Sequence, residues 1–303
     1  MEKYIRERYQ RDGGPLGKND EAIEKFVGML QTHKESDSHT VQKIIDNIEN
    51  IEIMAPNFTI FQSDRNGFMH QFNALNIDTE SNIDKEAEKL VISHEFGHVL
   101  LGITSRNQNS EEKVQVPEGF EQIVKGARAN CISPENKEIF RKFIEFISNS
   151  NETERTEAEK SLVSDIISSV FQYPALTFAK TEQTCVLPAY HNRDYWFDEE
   201  NGKMKTNIIF DEQFANYYAL VANNCDKELE KLETLLGEEW MKTMQEQLEK
   251  TEKIFEEPNR ESKLNVMDKI KDATLEVRES EVPEQLIGID RKVQNLETKE
   301  REE

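Results

Sequence analysis

From residue 19 onward, apolar positions recur at helical spacing. Ile23, Phe26, Val27 and Leu30 share one face over 19–33, and Val41, Ile44, Ile45 and Ile48 do so over 39–50. The pattern changes between 51 and 76. Ile51, Ile53, Phe58, Ile60 and Phe61, then Phe68, Phe72 and Leu75, are strand formers, and Asp64-Arg65-Asn66-Gly67 between them is a turn signal. Together they predict a small hairpin of strands over 51–62 and 67–76. A helix follows over 84–102, with Asp78, Ser81 or Asp84 available as its cap and Gly102 as its end. Further helices are predicted over 117–127, 134–149, 154–173, 208–223 and 226–254, with a proline- and aromatic-rich stretch from Pro174 to Trp196 and a weaker helix near 260–276. One small sheet among many helices predicts an α+β, mostly helical fold. Residues 1–18, charged and containing Asp12-Gly13-Gly14-Pro15, read as a flexible leader. Residues 19–254 read as one domain with an insertion over about 103–205, and 255–303 as a charged helical tail, mobile from Glu279.

The helix over 84–102 differs from the others. Leu90, Val91, Ile92, Phe96, Val99, Leu100 and Leu101 cover nearly its whole circumference, so it belongs in the interior, yet it contains His94-Glu95-Phe96-Gly97-His98. Two imidazoles four residues apart lie about 40° apart on one helix face, one turn apart along the axis, and both reach a single ion. Glu95 sits about 100° round from His94, suited to take a proton from water rather than to ligate. Ligand, base, ligand is the order of the zincins and predicts one catalytic Zn²⁺ held by His94 and His98. The plainer reading is a pair of hydrogen-bonded structural histidines. Composition alone would produce such a match by chance in on the order of one chain in a hundred. Buried imidazoles and a carboxylate also need partners, which a metal ion supplies.

Charge narrows the partners. With 38 Lys and Arg against 60 Asp and Glu, the formal net charge is −22, which repels phosphate backbones and anionic lipid surfaces. Nucleic acid and membranes are therefore not expected as partners, which leaves basic patches and protein substrates open. Three widely spaced cysteines, Cys131, Cys185 and Cys225, read as buried free thiols rather than a disulfide framework. The first residues lack an apolar targeting segment and no run has the length of a membrane span. The chain is therefore expected to be soluble and cytosolic, with signal-less secretion into another cell as the alternative. The pattern carries no indication of oligomeric state.

A catalytic zinc takes three protein ligands and an open water position. A metzincin would carry Gly and His at positions 101 and 104, which here are Leu101 and Thr104. The third ligand is then a carboxylate from a later helix, and the richest stretch is Phe210-Asp211-Glu212-Gln213-Phe214-Ala215-Asn216-Tyr217-Tyr218-Ala219. Glu212, Ala215 or Asn216, and Ala219 share a helix face, and the two alanines allow close approach to the zinc helix. Glu159 and Asp165 are rival carboxylates. Asp165, in an apolar helix, reads as an acceptor for a zinc-bound imidazole or as a substitute ligand, Asn216 as a further supporting group or alternative ligand, and Tyr190, His191, Tyr195, Tyr217 and Tyr218 as candidate oxyanion stabilisers, with Tyr195 and His191 placed first. His33, His39 and His70 lack ligand spacing and read as surface or loop residues.

The pair of motifs, His94-Glu95-Phe96-Gly97-His98 and Glu212-x-x-Ala215-Asn216-x-x-Ala219, resembles those of ImmA/IrrE-type gluzincins. It is also similar to the catalytic domain of anthrax lethal factor, with its own H-E-F-G-H and a glutamate followed two residues later by Phe-Ala. Both resemblances imply Glu212 as third ligand, a zincin-like domain and an endopeptidase in which Glu95 acts on water and passes the proton to the leaving amine. Glu212 follows His98 by 114 positions, which implies an insertion, and Lys205 stands where the lethal-factor pattern carries a tyrosine. A loose likeness to injected bacterial effector proteases implies a host cytosolic protein, cytoskeletal or signalling, as substrate. The alternatives are an ImmA/IrrE-like protease cleaving a repressor in its own cell and a non-catalytic zinc-stabilised binding protein.

Overall fold

The computed structural model describes residues 1–10, 19–55, 57–69, 73–105, 114–148, 153–172 and 193–257, together with two short strands, Ala175–Thr177 and Thr184–Val186. The helix expected near 260–276 and the tail beyond it lie outside the described residues, as do 11–18. The rest of the expected leader is ordered: α1 spans Glu2–Tyr9 and buries Ile5 and Tyr9. These two apolar residues, one helical turn apart among charges, dock on the domain, with Tyr9 edge-on to Phe58 at 5.5 Å. Asn19 closes the junction by donating to the carbonyls of Tyr9 at 2.8 Å and Ile60 at 3.0 Å.

Helix α2 (Asp20–Lys34) and α3 (His39–Asp46) follow the predicted faces, and a 3₁₀ turn over Ile48–Asn50 ends the latter. The first predicted strand begins too early. Ile51–Met54 forms α4, a single helical turn, and β1 is confined to Thr59–Ser63. The second divides into β2 (Gly67–Met69) and β3 (Ala74–Asp78). They do not make the expected hairpin: the sheet order is β1-β3-β2, with β3 parallel to β1 and antiparallel to β2. Ala74, Leu75 and Ile77 are all buried, so the most apolar strand takes the centre and the more polar ones the edges.

The metal-motif helix, α5, runs Lys85–Ser105, and Asp84 caps it through Oδ1 and the Glu86 N–H at 2.9 Å. It continues one turn past Gly102. Thr104, buried, donates to the Leu100 carbonyl at 2.9 Å and accepts from Gln247 at 3.3 Å, and this packing outweighs the roughly 1 kcal/mol propensity cost of glycine. Then come α6 (Phe120–Cys131), α7 (Lys137–Ile147) and α8 (Glu154–Phe171). The antiparallel pair β4 (Ala175–Thr177) and β5 (Thr184–Val186) precedes α9 (Arg193–Trp196), and a minimal pair of β6 (Phe197–Asp198) and β7 (Lys203–Met204) follows it. Helix α10 spans Thr206–Ala222. One long helix expected over 226–254 is two, α11 (Asp226–Leu236) and α12 (Glu238–Glu256), broken at Gly237, whose φ of +89° suits glycine.

Helices α5, α8 and α10 pack on one another at the centre, α6 packs directly against α8 and α10, and α3 joins through α2 and α12. Because α8 belongs to this centre, the segment expected as an insertion contributes to the core itself. Cys131 and Cys225 are free and buried. Among the described residues no helix is long and apolar enough to cross a membrane.

His33 departs from expectation most clearly. It is fully buried on α2, between Ser93 Oγ at 2.7 Å and the Tyr218 hydroxyl at 3.0 Å, and so ties α2 to α5 and α10. Ser93 gives its own proton to the Lys89 carbonyl at 2.6 Å, so it accepts from His33 Nε2–H and the Asn223 amide. That leaves His33 Nδ1 to accept from Tyr218, an arrangement only the neutral ring satisfies. Burial pushes the His33 pKa down to about 3 from 6.5. The unfolded chain binds this proton more readily, so the contribution to stability is complete above pH 6.5 and is lost as pH falls from 6.5 toward 3. Denaturant unfolding should show a slope of about 1.4 kcal/mol per pH unit across that window that His33→Gln removes; an unchanged slope in the variant would refute the assignment.

Candidate metal centre

Gly97 decides how closely α5 and α10 approach. A Cβ built on it would lie 2.7 Å from Ala215 Cα and 3.1 Å from the Ala215 carbonyl oxygen, and neither backbone atom can move aside alone. Small residues on both sides thus let the two helices touch along their backbones. This sets His94 and His98, one turn apart on α5, against Asp211 and Glu212 near the start of α10.

Three donor atoms converge there. His94 Nε2 and His98 Nε2 are 3.2 Å apart, and Glu212 Oε2 is 3.5 Å from each. Bonds of 2.0–2.2 Å to a tetrahedral ion would space its donors about 3.3–3.6 Å apart, so the triangle has the size and the chemistry to hold one. A Glu95 carboxylate oxygen also lies within 4.8 Å of the histidine donors. His98 and Glu212 are buried, while His94 and Glu95 are half-buried. With Val91, one turn before Glu95, these form the partly open stripe of an otherwise covered stretch of α5.

The surrounding groups orient the donors. His98 Nδ1 donates to Asp211 Oδ1 at 2.7 Å, which turns its Nε2 toward the triangle. Sequence reasoning assigned this kind of role to Asp165 and missed Asp211, whose only signal was its place beside Glu212. Asp165 instead accepts from the Asn216 amide at 3.0 Å. Its burial, reinforced by the Glu212 charge, raises its pKa to about 8. The Tyr195 hydroxyl donates to Glu212 Oε1 at 2.5 Å. Tyr218 is committed to His33, and Tyr217 packs edge-on against Trp240 at 6.1 Å. Tyr190, His191 and His70 lie outside the described residues, and His39 is exposed on α3. Glu159 pairs with Arg155 at 2.8 Å and so is removed from the ligand set.

Protonation follows from the same contacts. Burial disfavours the charged form of His98, but the charges of Asp211 and Glu212 outweigh it and hold its pKa well above 6.5. Burial, and the neighbouring His98 charge, push His94 down. Glu212 resists burial through His98 and His94 and is lowered to about 2. The His98 ring is therefore held in its charged form, with a proton that a metal ion bound at Nε2 would have to displace. The chain matches no protein-family model, no curated protein and no solved structure.

Two measurements test this geometry. Gly97→Ala should destabilise the fold by about 1–3 kcal/mol through overpacking and should also weaken Zn²⁺ uptake by moving α10; full stability and uptake would contradict the close approach. Titration calorimetry in buffers of different ionisation enthalpy should show release of about one proton per ion bound, with affinity falling as pH drops. Proton-independent binding at neutral pH would contradict the charged His98 ring.

Proposed function

We propose that this chain is a zinc-dependent endopeptidase. The observation that carries the reading is the convergence of His94, His98 and Glu212 on one point, with the Glu95 carboxylate beside it on the partly open side of α5. Nitrogen, nitrogen and oxygen donors in this number suit a catalytic zinc, three protein ligands leaving a position free. Bound there, Zn²⁺ would supply Lewis acidity toward a carbonyl and lower the pKa of water.

The chain's own residues do the rest. Glu95 accepts a proton from the attacking water and returns it to the amine that leaves as the peptide bond breaks. Asp211 keeps the His98 ring in one tautomer, and Tyr195 engages the outer oxygen of Glu212. The choice of a peptide as substrate is supported by β2, which is antiparallel to β3, lies at the sheet edge among the described residues, and packs against α5. An extended segment adding to such an edge would lie along the metal-motif helix.

Elemental analysis joined to a survey of new protein N-termini after incubation with a complex protein mixture separates the roles. Wild type should carry one zinc and generate cleavage products. Glu95→Gln should keep the zinc and lose at least about 10²-fold in rate, whereas His94→Ala, His98→Ala and Glu212→Ala should lose the metal. Undiminished cleavage by Glu95→Gln would sink the mechanism, and zinc without turnover in wild type would favour a binding protein.

A further inference from the structure

We infer that Tyr195 is a positioning residue that makes Glu212 a one-oxygen ligand, rather than a hydrogen-bond donor to substrate. The inference rests on the metal-centre reading above and adds to it the binding mode of the third ligand. A carboxylate can approach an ion through one oxygen or both, and nothing in its own chemistry chooses. Here the two oxygens are treated differently. Oε1 takes the Tyr195 hydroxyl at 2.5 Å, while Oε2 faces both imidazoles at 3.5 Å. A phenol has one proton to give. Donating it at this distance to a charged acceptor commits it, so an additional role toward a substrate oxygen would require the Glu212 contact to break.

The surroundings of Tyr195 are built to hold that contact. Its helix, α9, is four residues long and could not hold its position unaided. Trp196 anchors it with a fully buried ring set edge-on to Tyr195 at 4.9 Å. The Lys205 N–H donates to the Trp196 carbonyl at 2.9 Å, and the Lys205 ammonium caps the Asp194 carbonyl at 2.5 Å. The β6–β7 pair joins the same two ends. Lys205 lies immediately before α10, so the element bearing Tyr195 is fastened to the very helix that bears Glu212. Tyrosine and ligand therefore move as one piece. The lysine that occupies the position of a tyrosine in the lethal-factor pattern fastens a different tyrosine in place.

The test is Tyr195→Phe in the full chain, which keeps the ring packed on Trp196 and removes only the hydroxyl. Wild type and variant are loaded with Co²⁺ for visible absorption, and Zn²⁺ affinity is measured by competition with a chelator. The variant should bind Zn²⁺ about 10–100-fold more weakly. Its Co²⁺ bands should lose intensity, as a second carboxylate oxygen joins the coordination. Wild-type affinity and wild-type Co²⁺ bands in the variant, with only turnover reduced, would overturn the inference and return Tyr195 to the substrate. Failure of the wild-type chain to take up either ion would overturn the metal-centre reading instead, and this inference with it.

Discussion

The backbone contact between Gly97 and Ala215 is the constraint on which the rest of this structure depends. Helices with ordinary side chains at their contact surface stand about 8–10 Å apart, the distance depending on the side chains that meet there. Removing the Cβ at Gly97 and keeping only a methyl at Ala215 brings α10 onto α5 at the turn that carries both histidines. Glu212, three residues before Ala215, is thereby placed opposite His94 and His98. The same glycine that satisfies packing also determines which carboxylate can complete the site.

Close approach has a cost: polar groups are carried into the interior together. Helix α10 buries Glu212, Gln213, Asn216 and Tyr218 along with its apolar residues, and α5 buries Ser93 and His98. Each needs a partner, and the structure supplies partners in separate sets. Gln213 lies between Ser169 and Trp240, Asn216 donates to Asp165, and Tyr218 meets His33. The acidic residues around the histidines differ in what surrounds them. Glu212 faces two imidazoles and stays charged, whereas Asp165 is driven toward its neutral form by burial and the like charge of Glu212, against the opposing hydrogen bond from Asn216. That separation explains why Glu212 rather than Asp165 is suited to face a cation.

Much of this could be read along the chain where local pattern and global environment agree. The all-round apolar character of α5, the faces of α2 and α3, and the alanines opposite the motif are one-dimensional signals, and they pointed to His94, Glu95, His98 and Glu212 as neighbours. Reading failed where long-range packing overrode local preference. Ile51 and Ile53 favour strands but form a helical turn, Ile5 and Tyr9 were hidden among charges, and His33 had no spacing to mark it as an interior residue. Asp211 was missed because its contact is with His98, 113 positions away, and nothing in the local pattern around Glu212 marks which imidazole nitrogen a neighbouring carboxylate will meet.

The sequence by itself determined the mostly helical α+β class, the buried helix with its two histidines and glutamate, and the alanines that permit close contact, because these follow from periodicity and side-chain size; the part of Gly97 in that contact emerged only in the structure. Only the tertiary structure decided the strand order β1-β3-β2, the inclusion of α8 in the core, the pairing of Asp211 with His98, and the commitment of Tyr195 to Glu212. The physical reason is that side-chain pattern fixes which face of an element is buried, while the partner met across that face depends on how elements distant in sequence are brought together.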